Sequence, residues 1–483
     1  MRLGLVAPLF LVFSTLNSGF FLSVQAQTVV ALNPTTRTDA PADAAEAPKL
    51  NVINSAQSNP VSPAVEAYAR RFADDPDALV RLASRLYAQA GGQALWYRPG
   101  GWSAGAQDAF RILDQADYDG LPSDAYLAKI DGGLDDIRTN REAAVADFAL
   151  TLGLLRFALD LKFGLDHKVA PGEIGEGFKE AYLAQSLDAW IDTFRPETPL
   201  YLRLHKALLL GELTPTQAQK AALTMHRERS PLLVHPDRHI IVDLGLQQLK
   251  VYEDRKEMLS MPVIVGKPER RTPLLSDEIV NLKFSPDWSV PPVIAREDIL
   301  PILQTTPDVI GDMGIDILDD ENRKVIATSV DWSEVDPYKI PFRFRMKPGI
   351  DNLLGGVRFS LTNDFAIYLH DSPERDRYAS GVRTFSSGCV RVGDAATLAS
   401  WIMGRQKNWK RTDVIAAMVK GETQIEKLPD PIKVDFIYST VGFSEDGRLM
   451  FKPDIYGEDA RLARRIGLDQ SNDVPPPLPK VRG

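Results

Sequence analysis

The stretch FAIYLHDSPERDRYASGVRTFSSGCVR, residues 365–391, decides how the chain is interpreted. Its first five residues are apolar and include several strand formers, so they predict a buried strand that delivers His370 at its end. Asp394, just beyond the stretch, is a candidate N-cap for a helix through about residue 403. Between strand and helix, Gly388 allows the backbone to turn sharply beside Cys389.

Cys389 is the only cysteine among the 483 residues, so it has no disulfide partner within the chain. A thiol and a histidine are the pair that nucleophilic catalysis needs, because the imidazole removes the thiol proton and the thiolate attacks an acyl carbon. A lone cysteine is more often a small buried apolar residue, and a lone histidine is more often structural. Spacing alone leaves both interpretations open.

The same residues resemble the catalytic signature of the L,D-transpeptidases, the cysteine enzymes that cross-link the bacterial cell wall. That signature has a histidine, some fifteen residues, then Ser/Thr-His-Gly-Cys and a polar residue two positions later. Here fifteen residues separate His370 from Ser386, and Cys389 closes the motif. Ser387 stands where the signature has a second histidine, and the long periplasmic branch of the family is similar at this place. His370 is therefore the only nearby base in the sequence.

The resemblance implies an α+β protein with a helical scaffold domain and then a mostly-β catalytic domain that carries an inserted capping subdomain. Helical periodicity up to about residue 229 and strand periodicity from Arg238 agree with that order. Pro429 and Pro431 are expected to break the chain after the catalytic domain. The predicted segments are a signal peptide (1–26), a flexible linker (27–62), the helical scaffold domain (63–235), the catalytic domain (236–424, with the capping insertion at about 289–356), C-terminal strands that pack on the scaffold or catalytic domain (425–460) and a tail (461–483).

The N-terminus is typical of an exported protein. Arg2 precedes an apolar run at 3–13 that is too short to span a membrane, and small residues at 24–26 offer a cleavage site. An uncleaved anchor is the alternative, because apolar residues resume at Phe20. We expect cleavage and a periplasmic location in a Gram-negative-type cell envelope. A single unpaired thiol in an exported chain is either reactive or well buried.

Charge and spacing argue against two other kinds of partner. The formal net charge of -9 argues against nucleic acid. His235 and His239 have the spacing of a helical metal pair, but Pro236 lies between them and strand residues follow, so no metal is expected. The resemblance implies no cofactor. It also implies peptidoglycan stem peptides as donor and acceptor, other wall-synthesis enzymes as further partners, and membrane contact only through the signal segment.

The resemblance also assigns the site residues. Cys389 is the expected nucleophile, and His370 is the base that deprotonates it or pairs with it. Gly388 and Cys389 are the expected backbone N–H donors to the oxyanion. The group that orients His370 is a backbone carbonyl, Asp371 or Ser372. The expected substrate-binding residues are Arg391, Ser387, Ser386, Tyr368, Arg383 and Trp332.

Three of these residues have a structural alternative. Arg391 has the guanidinium fork that suits a stem carboxylate, but it could equally form a structural ion pair. Tyr368 could line an acyl pocket or belong to the core, and Trp332, with Phe342, could belong to the core of the capping insertion.

In the implied reaction, Cys389 attacks the carbonyl that joins the third residue of a tetrapeptide stem to its terminal D-alanine. An amine of a second stem then attacks the thioester and forms a 3→3 cross-link. Such a thiol is expected to have a pKa below that of a free cysteine. The alternatives are an L,D-carboxypeptidase with water as acceptor, a transferase with an outer-membrane protein as acceptor, and a non-catalytic wall-binding protein.

Overall fold

A computed structural model of the chain describes residues 59–70, 77–127, 137–165, 172–229, 237–444 and 446–468. The predicted signal peptide, most of the predicted linker, His235 and the last fifteen residues of the predicted tail lie outside these ranges. No helix in the described ranges is long and apolar enough to cross a membrane.

The first half of the described chain is helical and has its own hydrophobic core. The elements are α1 (Ser62–Arg70), α2 (Ala78–Gln89), β1 (Tyr97–Arg98), β2 (Gly101–Trp102), α3 (Ala104–Asp114), α4 (Asp124–Leu127), α5 (Asn140–Phe163), α6 (Gly172–Ala184), α7 (Leu187–Asp192), α8 (Pro199–Leu209) and α9 (Pro215–Glu228). Apolar side chains point to all sides of α5, so it lies at the centre of this core. A capping box of Thr139 and Glu142 starts that helix.

The second half is mostly β. Its elements are β3 (His239–Asp243), β4 (Gln248–Glu253), β5 (Lys256–Gly266), β6 (Leu275–Phe284), β7 (Trp288–Ser289), α10 (Pro292–Ile294), α11 (Leu300–Thr305), α12 (Val309–Asp312), β8 (Ile315–Leu318), β9 (Lys324–Val325), β10 (Arg343–Met346), β11 (Val357–Ser360), β12 (Leu369–His370), β13 (Thr384–Ser386), β14 (Val390–Val392), α13 (Ala395–Lys407), α14 (Arg411–Val419), β15 (Gln424–Ile437), β16 (Val441–Phe443), β17 (Leu449–Phe451) and α15 (Glu458–Arg465).

The main sheet closes on itself. Its strand order is β13-β5-β14-β12-β11-β6-β15-β3-β4, and β4 also pairs with β5. The strands from β5 round to β4 therefore form a closed ring, which leaves few unpaired strand edges. Apolar side chains of the ring and of α13 and α14 make the core of this domain.

The first of the C-terminal strands belongs to the ring of the catalytic domain. β15 begins at Gln424 and lies inside the ring, parallel to β3 and antiparallel to β6. Pro429 and Pro431 do not end it, because they fall where the register with β6 shifts between Lys427 and Ile432. A bulge of this kind is one of the few places where a strand tolerates proline, which has no N–H to donate.

The capping insertion forms a small body of its own beside the ring. Its sheet has the order β7-β10-β8-β9, and its apolar side chains form a separate core from Trp288 to Leu354. A π-helical turn, Ala295–Ile299, follows α10 and precedes α11.

Helix α15 joins the two halves of the chain, although the sequence placed most of it in a tail. Leu462 and Ala463 pack on Leu223 of α9. Arg227 of α9 donates to Asp459 at 2.6 Å. These contacts hold α9 next to the catalytic domain.

Candidate active site

The pairing of β12 with β14 brings the predicted base and nucleophile together. The two strands are parallel, with Leu369 opposite Val390 and His370 opposite Arg391. The Val390 N–H donates to the Tyr368 carbonyl at 3.1 Å, so Cys389, one residue earlier, lies beside Tyr368. His370, Tyr368 and Cys389 all line one cavity.

The run before His370 is not the buried strand that the sequence predicts. Only Leu369 and His370 are in β12, while Phe365 and Ala366 are exposed. The Asn363 side chain accepts from the Phe365 and Ile367 N–H groups at 3.1 and 3.2 Å, which holds this segment in a turn. Its side chains line the cavity, and Ile367 and Tyr368 also pack against the neighbouring hydrophobic cores.

Hydrogen bonds of the Ser386 hydroxyl stabilise the turn around Cys389. Gly388 has a φ of +117°, a conformation that favours glycine. The Ser386 hydroxyl donates to the Cys389 carbonyl at 2.5 Å and accepts from the Gly388 N–H at 3.2 Å. The Gly388 N–H, which was predicted as an oxyanion donor, therefore already donates to Ser386. Ser386, which was predicted to bind substrate, is buried and stabilises the turn through these two hydrogen bonds. The Cys389 N–H remains the candidate donor.

A backbone carbonyl orients His370. The Asp371 carbonyl oxygen lies 2.6 Å from His370 Nδ1. Because a carbonyl can only accept, Nδ1 carries the proton and Nε2 keeps the basic lone pair. The Asp371 side chain accepts from Gly356 instead, and the Ser372 hydroxyl accepts from the Glu374 N–H.

Burial holds both reacting groups in their neutral forms. It lowers the pKa of His370 to about 3, with the charges of Arg391 and Arg358 acting in the same direction. It raises the pKa of Cys389 to about 11, although Tyr368, Arg358 and Arg391 oppose this rise. The direction for the thiol is opposite to the lowered pKa that the sequence predicted, and burial favours a thiol and a neutral imidazole. Sγ lies 3.6 Å from the Ala366 carbonyl.

Arg358 is a charged neighbour of the site that the sequence analysis did not single out. It lies on β11 directly opposite His370, and its guanidinium lies 5.0 Å from the centre of the Tyr368 ring. Its Nη2 donates to the Ser360 hydroxyl at 3.2 Å, and no carboxylate within the described ranges forms an ion pair with it. The sequence pattern that could have identified Arg358 is the alternation of Val357, Arg358 and Phe359, because it puts the arginine on the opposite face of the strand from its two apolar neighbours.

We expect Arg358→Met to slow alkylation of Cys389 by iodoacetamide severalfold at pH 8. Loss of the nearby positive charge raises the pKa of the thiol further and lowers the thiolate fraction. Arg358→Lys keeps the charge and serves as the matched control. Equal alkylation rates for the Met and Lys variants would exclude this electrostatic role.

Three predicted substrate-binding residues have structural contacts. The Arg391 guanidinium pairs with Glu374, and the residue also lines the cavity. Arg383 donates to backbone carbonyls at 2.8 to 3.1 Å, including that of Val263. Trp332 is 3% exposed, packs on Phe342 in the core of the capping insertion and donates through Nε1 to a backbone carbonyl. Neither Arg383 nor Trp332 lines the cavity.

Ser387 links the cysteine turn to the capping insertion. Its hydroxyl accepts from Arg270 at 3.0 Å, and the same guanidinium pairs with Asp298 at 2.5 Å and with Glu297 at 2.9 Å on the π-helical turn. Tyr368 and Ser387 both line the cavity, and their role in substrate binding stays a prediction.

The cavity has a volume of about 2070 Å³ and reaches well beyond the cysteine. Ligand pockets for small molecules commonly have about 300–1,000 Å³. The walls come from the catalytic ring, the capping insertion and the junction of α9 with α15, where His226, Arg227, Arg461 and Arg465 lie. No group of three or more His, Cys, Asp or Glu side chains in the described ranges could hold a metal ion.

Comparison with known proteins agrees with this architecture. Residues 237–425 match the model of the L,D-transpeptidase catalytic domain, and residues 81–208 match that of the scaffold domain. A curated protein of Haemophilus influenzae, named "Putative L,D-transpeptidase", is 33% identical over 295 residues. The match covers 60% of this chain and 57% of that relative.

Two solved structures are similar at low identity. The catalytic domain of an E. faecium L,D-transpeptidase acylated by ertapenem is 16% identical, with 33% of this chain and 83% of that chain covered and a TM-score of 0.19. An L,D-transpeptidase from Mycobacterium smegmatis is 15% identical, with 41% and 58% covered and a TM-score of 0.21. The chain therefore contains an L,D-transpeptidase catalytic domain at residues 237–425 and a scaffold domain at residues 81–208.

Proposed function

We propose that the chain is a cysteine L,D-transpeptidase that forms 3→3 cross-links between peptidoglycan stems in the periplasm. The observation that supports the proposal is the strand pair β12–β14, since His370 ends one strand, Cys389 precedes the other, and both residues line one large cavity. Residues in this arrangement can perform acyl transfer without a cofactor.

The first half-reaction transfers the stem to the enzyme. His370 Nε2 takes the thiol proton as Sγ attacks the carbonyl before the terminal D-alanine, and the carbonyl π electrons move to oxygen. The Cys389 N–H stabilises that oxyanion. Collapse of the intermediate breaks the C–N bond, the imidazolium returns its proton to the leaving amine, and a thioester remains.

The second half-reaction transfers the stem to an acceptor. An amine of a second stem attacks the thioester, loses a proton to His370, and displaces the thiol, which is reprotonated. The volume of the cavity supports a peptide acceptor, because one stem occupies only part of about 2070 Å³. In this proposal, the donor stem and the acceptor stem meet in the cavity between the cysteine turn, Tyr368 and the capping insertion.

Product analysis separates transfer from hydrolysis. Purified protein is incubated with a disaccharide that carries a tetrapeptide stem, and the products are identified by mass spectrometry. We expect cross-linked dimers together with free D-alanine. Tripeptide stems without dimers would identify a carboxypeptidase, and unchanged substrate would contradict both activities.

A further inference from the structure

Thr272 is buried beneath the cysteine turn and is only 2% exposed. Its hydroxyl donates to the Gly388 carbonyl at 2.7 Å and accepts from the Gly266 N–H at 3.0 Å. The Tyr456 hydroxyl donates to the Gly266 carbonyl at 2.6 Å and lies 3.4 Å from the Thr272 N–H. Both the hydroxyl and the backbone of Thr272 are thus held in place by hydrogen bonds.

The Gly388 carbonyl and the Cys389 N–H belong to the same peptide plane. In a trans peptide these two groups point in opposite directions. The hydrogen bond from Thr272 draws the carbonyl toward the protein interior, and the N–H must then point the other way. The bond also withdraws electron density from the carbonyl oxygen, which makes the N–H a better donor.

The next peptide plane is held as well, through the bond from Ser386 to the Cys389 carbonyl. The backbone on both sides of the nucleophile is therefore fixed before any substrate binds. Donors that are fixed in advance stabilise a developing negative charge without a further cost of reorganisation.

We propose that Thr272 is a positioning residue for the oxyanion, because its hydroxyl aims the Cys389 N–H at the place where the substrate oxygen becomes negative. This inference rests on the proposed function, since it requires acyl transfer to Cys389. It assigns Thr272 no contact with substrate: the hydroxyl acts through the Gly388–Cys389 peptide.

The test compares two reactions of the same sulfur. Acylation of Cys389 by a carbapenem forms the S–C bond, places negative charge on the lactam oxygen and breaks the lactam C–N bond. Alkylation by iodoacetamide forms an S–C bond and releases iodide, with no oxyanion. We expect Thr272→Val, which removes the hydroxyl at nearly constant shape, to slow acylation about tenfold or more and to leave alkylation near the wild-type rate. Removal of a whole donor typically costs about 10²–10³-fold.

Thr272→Ser keeps the hydroxyl and is expected to restore most of the acylation rate. Equal acylation by the Val variant and the wild type would overturn the inference, and so would a parallel fall of both rates, which would show only a displaced thiol. A wild-type protein that resists acylation altogether would instead contradict the proposed function. Thermal unfolding of each variant shows whether the fold is retained.

Discussion

A carbapenem is expected to add once to the wild-type protein and not at all to Cys389→Ala. The strained lactam carbonyl offers Sγ an acyl centre. Cys389 is the only cysteine of the 483-residue sequence, so no other thiol competes for the carbapenem. Intact-mass analysis gives the number of adducts, and peptide mapping gives their position. The same variant is expected to form no dimers from tetrapeptide-bearing disaccharide.

The comparison is informative only if Cys389→Ala keeps the fold. The change removes one partly exposed sulfur. The hydrogen bonds from the Ser386 and Thr272 hydroxyls go to backbone carbonyls, which the alanine variant retains. We therefore expect nearly the same unfolding midpoint as for the wild type. Dimers formed by this variant would refute the nucleophile assignment, and an adduct elsewhere in the wild type would do so as well.

His370→Ala is expected to reduce cross-linking by about 10²–10⁴-fold, the usual contribution of a general acid–base group. The same variant is expected to keep an alkylation profile close to that of the wild type. The wild-type imidazole is neutral above about pH 3, so its removal takes away no charge that stabilises the thiolate. The pKa of Cys389 stays raised by burial, and alkylation accelerates toward about pH 11 in both proteins.

Alkylation and turnover measured across the same pH range decide between two roles for His370. If the imidazole only carries protons during the reaction, the variant loses turnover at every pH while its thiol alkylates normally. If wild-type alkylation levels off near neutral pH and the variant does not, a thiolate–imidazolium pair exists at rest, which is one of the two roles that the sequence left open for His370. That second outcome would contradict the neutral pair described for this site.

His370 and Cys389 were singled out from one local sequence pattern and its resemblance to a family signature. The spacing from His370 to Cys389 and the glycine before the cysteine are properties of one short stretch, and the structure places both side chains in one cavity. The N-cap at Asp394 is also confirmed, since its side chain accepts from the Thr397 N–H, although the helix continues to Lys407. Such features depend on neighbours in sequence, which a single chain displays.

The surroundings of those residues depend on distant segments and could not be predicted in the same way. The shifted pKa of the thiol comes mainly from burial by parts of the chain far from residue 389. Arg391 has the same local sequence pattern with or without an ion pair, and only the fold shows that Glu374 is its partner. Phe365 was predicted to be buried in a strand because it is apolar, but it is exposed and lines the cavity, which the sequence pattern does not distinguish from a core position.

The position of β15 in the ring has a consequence for how the protein acquires its reactive centre. This strand joins β6 to β3, so the ring is incomplete until residue 437 has left the ribosome. Pairings between residues so far apart in sequence form slowly, because the intervening chain must first lose its freedom. During synthesis the thiol therefore belongs to an incompletely folded chain, without the burial that raises its pKa. A fragment cut at residue 425, where the matched catalytic domain ends, would keep His370 and Cys389 but lack most of β15, and we expect it to remain incompletely folded.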